Sequence, residues 1–443
     1  MTAADSHAHL AVALQLGAAA TMLVTAVVAA SHQAPTTLPR GVISVTDAPW
    51  RADPAGIRDA TAALQAAIDE GARTHHTVFI PPGRYRVTDT LNCTIDWEFM
   101  TSADTDPGPP TPDWLFAAHV IVGAPLHAGK PKSDATTRRP TTLFVPPATP
   151  GFTSPVLAKY VVHFWHTANT PTPDGWVGSQ PDININQVLQ GVDIEIGAGN
   201  VGAIGVMHLG AQGSSIEDVT VWAGDAAVGI SGGAGGGGAH ANVRVVGGRF
   251  GLDLRAAQPA PTVTGATLQN QTCSSILYVG RGPLTLVGAK IEWHTPSRDS
   301  VGLVAGGLLN SAFTGSCSLP IPAHPRSDGS STAPFDGSVS IIDSSFETTP
   351  SRQSVGTFSV AAPMITSKKN VYLRGVYTKG FSTLVQLSGE SVLAALPQPS
   401  GATTAPGSQS EWNFVTEFAA ATAPKPYYKS VAFAIAAAIS LCR

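Results

Sequence analysis

Two carboxylates, Asp193 and Glu195, stand two residues apart in the phrase Val192-Asp-Ile-Glu-Ile196. In an extended strand Val192, Ile194 and Ile196 turn to one side and both acids to the other. The strand rise separates the two acids by roughly 6–7 Å. That lies near the lower limit for a pair that cleaves a glycosidic bond with inversion, one carboxyl giving a proton and the other activating water. Glu292, in Lys290-Ile-Glu-Trp293, is a third candidate acid. The bland alternative for all three is a charge that solvates the outer side of a strand. A general acid also needs a carboxyl kept protonated by burial.

Aromatic side chains are the natural partners of such acids, because their faces pack on the apolar faces of pyranose rings. Trp165, Trp176, Trp222, Tyr278 and Trp293 qualify, and Trp222 and Trp293 fall on repeated strand phrases. Packing in the core is the competing expectation for each. Glu217, Asp218 and Asp225 join Asp193 and Glu195 as oxygen donors that would suit Ca²⁺. No ligand spacing supports such a site, and neither a metal nor another cofactor is expected. His163 and His166 have a spacing that suits a metal on a helix, but their segment reads as strand. The run Gly232-Gly-Ala-Gly-Gly-Gly-Gly238 lacks the Lys-Ser/Thr ending of a phosphate loop and fits a tight corner. No Ser/His/Asp arrangement stands out.

These residues need a frame that lines them up, and the chain contains one. The phrases beginning at Asp218, Asn242, Ala266 and Lys290 recur every 24 residues. A second series runs beside them: Gly205-Val206, Gly229-Ile230, Gly251-Leu252 and Ser275-Ile276. A fixed period of this length means stacked supersecondary units. Strand-sized phrases with no helical pattern between them predict an all-β, single-stranded, right-handed parallel β-helix. A solenoid presents aligned side chains on a long face, which suits extended ligands. Composition agrees: of 443 residues 13% are charged, while Gly (45) and Pro (35) are abundant. A formal net charge of −4 argues against nucleic acid and against an anionic membrane surface as partners.

Ahead of the repeats, the segment 59–71 reads as a short amphipathic helix. Asp59 or Thr61 is its N-cap, Leu64 and Ile68 share a face, and Gly71 is its stop. A strand over 77–80, the turn Pro81-Pro-Gly83 and a strand over 84–87 follow. This order, Asp59-x-Thr-x-x-Leu-Gln65 to Val78-Phe-Ile-Pro-Pro-Gly-x-Tyr-x-Val87, resembles the pectate-lyase superfamily, where the helix caps the first coil. Further on, Gly205-Val-Met-His-Leu-Gly-Ala-Gln-Gly-Ser-Ser-Ile-Glu-Asp-Val219, with Val246-Gly-Gly-x-x-Gly251 and Thr267-Leu-Gln-Asn270, resembles the first module of glycoside hydrolase family 55. That family consists of β-1,3-glucanases with two β-helix modules side by side and a general-acid Glu on the second. The resemblance covers about 40–390, and the second module is expected to begin near Pro424. It implies that Gln212, Ser214 and Ser215 border the cleft.

The expected layout is a signal peptide or signal anchor over 1–35, the β-helix over 36–390, and a low-complexity linker with an apolar tail over 391–443. The apolar run from Leu10 to Ala30 supports secretion, with anchoring in a membrane as the alternative. Cys273 and Cys317 are the expected disulfide, free thiols being the alternative. The expected partner is a polysaccharide, hydrolysed or bound as a β-glucan. A lyase acting on uronates and a non-catalytic carbohydrate-binding solenoid are the competing readings.

Overall fold

The computed structural model describes residues 41–95, 118–124, 140–166, 184–235, 237–255, 257, 261–278, 283–293, 301–305, 317, 338–348, 364–367, 370–381, 383–387, 390–394 and 412–420. The chain divides into Met1–Val42 and Ile43–Arg443. The expected leader, the second module's start, Trp176 and Cys442 lie outside the described residues. No described helix is long and apolar enough to cross a membrane.

Ile43–Arg443 holds a right-handed parallel β-helix with three strands to each coil. The first face stacks Thr77–Phe79, Val120–Val122, Val188–Gln190, Ser215–Glu217, Ala239–Ala241, Thr262–Thr264, Leu284–Val287 and Val339–Ile342. The second face stacks Gly83–Arg86, Thr141–Val145, Val192–Ile196, Thr220–Gly224, Arg244–Gly247, Thr267–Gln269, Lys290–Trp293 and Ser345–Thr348. The third stacks Leu91–Ile95, Lys159–His166, Ala203–Leu209, Val228–Gly233, Phe250–Leu254, Ser274–Tyr278, Val301–Ala305, Ile365–Ser367 and Thr383–Leu387. Alternation along each strand sends one set of side chains inward. On the second face that inner row is Tyr85, Leu143, Ile194, Val221, Val245, Leu268, Ile291 and Phe346, all fully buried.

The corner between the first and second faces is a single left-handed residue. Gly191, Asp218, Asn242, Gly265, Gly288, Asp343 and Gly375 occupy it with φ between 48° and 66°. Only Gly, Asn and Asp visit this conformation cheaply, so these three types mark the corner in the seven coils from Gly191 onward. The side chains also stack, with Asn242 Nδ2 donating to Asp218 Oδ1 at 2.6 Å.

The ends are closed. Helix α1, Thr61–Thr74, buries Leu64, Ala67 and Ile68 against the first coil. It runs one turn past Gly71, and the left-handed His75 ends it. Gly71 is present for a different reason: a Cβ there would stand 2.4 Å from Val78 Cγ2. Asp59 does not cap the helix as expected, since Ala60 is the N-cap and makes no side-chain cap. At the other end Trp412–Ala420, within the segment read as linker and tail, pairs antiparallel with Val371–Lys379 and covers the last coil. Cys273 and Cys317 form the expected disulfide, and Cys93 is a buried free thiol.

Candidate functional site

The outer side of the second face carries a polar ladder. Register places Phe144, Glu195, Trp222, Val246, Gln269, Glu292 and Glu347 in one column along the solenoid. A neighbouring column holds Arg84, Thr142 and Asp193, then Thr220, Arg244, Thr267 and Lys290. Coils lie roughly 4.8 Å apart, so the columns are evenly spaced.

The ladder is cross-linked. Arg84 lies over the Phe144 ring at 3.2 Å and donates to both oxygens of Glu195, at 3.0 and 2.9 Å. Arg244 stands 5.0 Å over the Trp222 ring and donates to Gln269 Oε1 through Nε and Nη2. Gln269 Nε2 donates to Glu292 Oε2 at 2.7 Å, and Lys290 Nζ is 2.7 Å from Glu292 Oε1. Lys379 pairs with Glu347 further along. Each of these cations thus has a partner on the ladder. Trp222 is 42% exposed, a large apolar ring held open to solvent among charges.

Asp193 is different from its neighbours. It points outward yet is only 6% exposed, and Thr220 N–H donates to its Oδ1 at 2.8 Å. Burial pushes its pKa above the usual aspartate value, against the opposing pull of the Thr220 hydrogen bonds and the Arg244 charge. Asp193 and Glu195 are thus brought together with unlike surroundings, one buried and one ion-paired.

Other expected site residues lie elsewhere. Glu292 stands four coils from Glu195, roughly 19 Å along the solenoid. That exceeds the roughly 6.5–9.5 Å span of an inverting pair, so Glu292 does not act with Glu195 as its acid or base. A strict 24-residue period stacks Glu292 in the column of Arg244, two coils away. The true steps from Arg244 to Thr267 and from Thr267 to Lys290 are 23, which inserts Gln269 as a relay instead. Trp293 is a core residue at 1% exposure; its Nε1 donates to Gln271 O and its ring meets Phe381 edge-on. It shares the inner side with Ile291, so no sugar reaches it. Tyr278 is likewise fully buried, and Trp165 packs partly buried on the third face. Ser214 is fully buried, accepting from Gln187 N–H and donating to Asn184 O. Gln212 and Ser215 lie at the corner from third to first face, away from the ladder.

The oxygen donors considered for Ca²⁺ are divided between corners. Asp218 sits between the first and second faces, whereas Asp225 accepts from Gly199 N–H between the second and third. Among the described residues no cluster of His, Cys, Asp and Glu gathers around a common point. His163 stacks on Trp165 at 5.1 Å and lies 4.4 Å from the Tyr160 ring, a packing role. The phrase Gly229-Ile-Ser-Gly-Gly233 has the spelling of a nucleophile elbow but lies within the strand Val228–Gly233, with no helix after it among the described residues, and Ser231 is buried in it.

Sequence reasoning missed two features. One is a cavity of about 500 Å³ beside α1, lined by Asp59, Thr61, Gln65, Thr88, Asp89 and Asn92. Its groups satisfy one another: Asp59 accepts from Thr61 and Thr88, and Gln65 exchanges hydrogen bonds with the Asn92 backbone. The other is a buried polar cluster of His119, Asn184, Gln187, His208 and His240 inside the solenoid. Lone histidines in β-prone phrases give no signal that they will meet.

The family model for rhamnogalacturonase A/epimerase, pectate-lyase-like, matches residues 42–295, more than half of the chain. The chain therefore belongs to this pectate-lyase-like β-helix family. No curated protein matches it. Among solved structures it is similar to the tailspike of Acinetobacter phage vB_ApiP_P1, at 11% identity, 81% coverage of this chain, 56% of that one and a TM-score of 0.43. A tailspike of E. coli bacteriophage HK620, solved with a hexasaccharide, matches at 12% identity, 78% and 51% coverage and a TM-score of 0.41. PfbA, a surface adhesin of Streptococcus pneumoniae, matches at 9% identity, 85% and 98% coverage and a TM-score of 0.33. The chain spans about half the length of these tailspikes. Nothing about its ligand follows from them.

Proposed function

We propose that this chain is a carbohydrate-active β-helix that binds an extended, neutral polysaccharide of the β-glucan type along the outer second face. The observation that carries this reading is Trp222, exposed at the middle of a charge-balanced ladder. A ring left open in this way offers a platform for the apolar face of a pyranose, and the flanking amides and charges supply hydrogen bonds to hydroxyls. Arg84, Lys290 and Lys379 are matched by carboxylates, and Arg244 is committed to Gln269 and Trp222. Arg86, exposed beside Phe144 in the first coil, is the cation left over on this face among the described residues; one such charge offers little to attract a polyuronate and favours an uncharged chain. The resemblance to glycoside hydrolase family 55 supports the glucan, whereas membership of the rhamnogalacturonase A/epimerase family points to rhamnogalacturonan. The disulfide supports an extracellular setting.

Titration of the purified protein with laminarin and with polygalacturonate tests the reading. Saturable binding of laminarin with weaker binding of polygalacturonate is expected; the reverse order would replace the glucan by a uronate and revive the lyase. Hydrolysis is a second reading, favoured by the raised pKa of Asp193 next to Glu195. In it Asp193 protonates the leaving oxygen and Glu195 orients water. Release of reducing sugar from laminarin that Asp193→Asn abolishes would support it. Binding without turnover would leave a non-catalytic glycan binder.

A further inference from the structure

One group of buried polar side chains lies inside the solenoid at the corner between the third and first faces. His208 points inward from Ala203–Leu209 on the third face, and His240 points inward from Ala239–Ala241 on the first. Their ring centroids are 5.7 Å apart, edge to face, and Phe164 meets His208 at 5.2 Å. In the column of His240 the neighbours are Ile216 and Val263. His208 Nε2 lies 3.2 Å from Gln187 O, which the neutral ring satisfies as donor. Among the described residues, His208 Nδ1 and both nitrogens of His240 have no hydrogen-bond partner. Gly210 makes room for the His208 ring, since a Cβ there would stand 2.7 Å from His208 Cε1.

Buried polar atoms without partners destabilise a core, and an aliphatic side chain at position 240 would avoid that. Among the described residues no carboxylate acts on either ring, so an imidazolium at either place would lack a counter-ion. The groups acting on His208 and His240 are Gln187 and each other, and the third titratable member, His119, is bonded to Gln187 Oε1. We propose that the His208–His240 pair is an acid-release switch: protonation of either ring opens the central coils, which stay closed only while both rings are neutral. A solenoid transmits stability only between neighbouring coils, so the opening starts at this corner.

The direction of the pH dependence follows. Burial lowers the pKa to about 4 for His208 and for His119; for His240 burial and the His208 charge together lower it to about 3. Above the ordinary histidine value both folded and unfolded rings are neutral, and nothing is lost. As pH falls below about 6.5 the unfolded rings take protons that the folded rings refuse, so stability drops until the folded values are reached.

Urea unfolding between pH 7.5 and 4.5 tests this in the wild type and in His240→Leu. Each buried neutral ring multiplies the unfolding constant by roughly 40- to 50-fold between pH 6.5 and 4.5. His240→Leu is expected to remove one such factor and to be no less stable at pH 7.5. An unchanged pH dependence would overturn the switch. If the leucine variant does not fold, imidazole NMR of the wild type decides: His240 neutral in the folded protein at pH 5 is expected, and a protonated ring would overturn it. Hydrogen exchange at pH 4.5 should expose Ala203–Leu209 and Ala239–Ala241 before α1; loss from α1 first would contradict an opening that starts at the corner.

Discussion

The outer sides of the second and third faces are built on the same coils and could hardly differ more. Outside the second face stand Arg84, Glu195, Trp222, Arg244 and Gln269, wet and cross-linked. Outside the third face stand Tyr160, Ile204, Met207, Val228, Phe250, Leu277 and Val304, all buried in a second apolar cluster. One ion pair, Asp253 with Arg255 at 2.6 Å, sits among them. The inner rows are alike, so the solenoid core does not explain the contrast. A strand covered on both sides reads as a continuous apolar run, as in Ala203–Leu209, and a strand with one wet side alternates. The third face is therefore structural on both sides, and the second is free to meet a ligand.

The largest effect that would break this contrast is expected on the third face. Phe250→Ala should cost about 3–5 kcal/mol in thermal or urea unfolding, because it opens a cavity under the buried outer layer. A loss below about 1 kcal/mol would mean that layer is not packed. On the second face Trp222→Ala should leave unfolding within about 0.5 kcal/mol of wild type. It should weaken laminarin binding by about 2 kcal/mol, roughly 30-fold, in calorimetric titration. Asn242→Ala, at the left-handed corner that separates the first and second faces, should cost about 1–2 kcal/mol, and Asn242→Gly much less. The smallest effect belongs to Arg84→Met. Its pair with Glu195 is about two-fifths exposed on both sides, so the loss should be about 0.5 kcal/mol and shrink further in high salt.

The same contrast explains what could be read from the chain. The coil architecture, the capping helix and the Cys273–Cys317 bond were legible because period, corner residues and cysteine placement are local signals. The acid pair Asp193 and Glu195 followed from alternation alone. Trp293 obeys the same rule: in Lys290-Ile-Glu-Trp293 the alternation that buries Ile291 also buries Trp293, against the sugar-stacking role its size suggests. Glu292 was misplaced by a single residue of contraction per coil, which no repeat length averaged over the chain reveals. The Arg84–Glu195 pair, 111 residues apart, and the His208–His240 contact depend on stacking order and have no sequence signature.

Hydroxyl-radical footprinting with and without saturating laminarin oligosaccharide tests the central claim most directly. The expected result is strong protection of Trp222 from oxidation, with Met207 and Trp165 on the third face unchanged. Unaltered oxidation of Trp222 alongside new protection at Trp165 would contradict it, and would move the ligand to the third face.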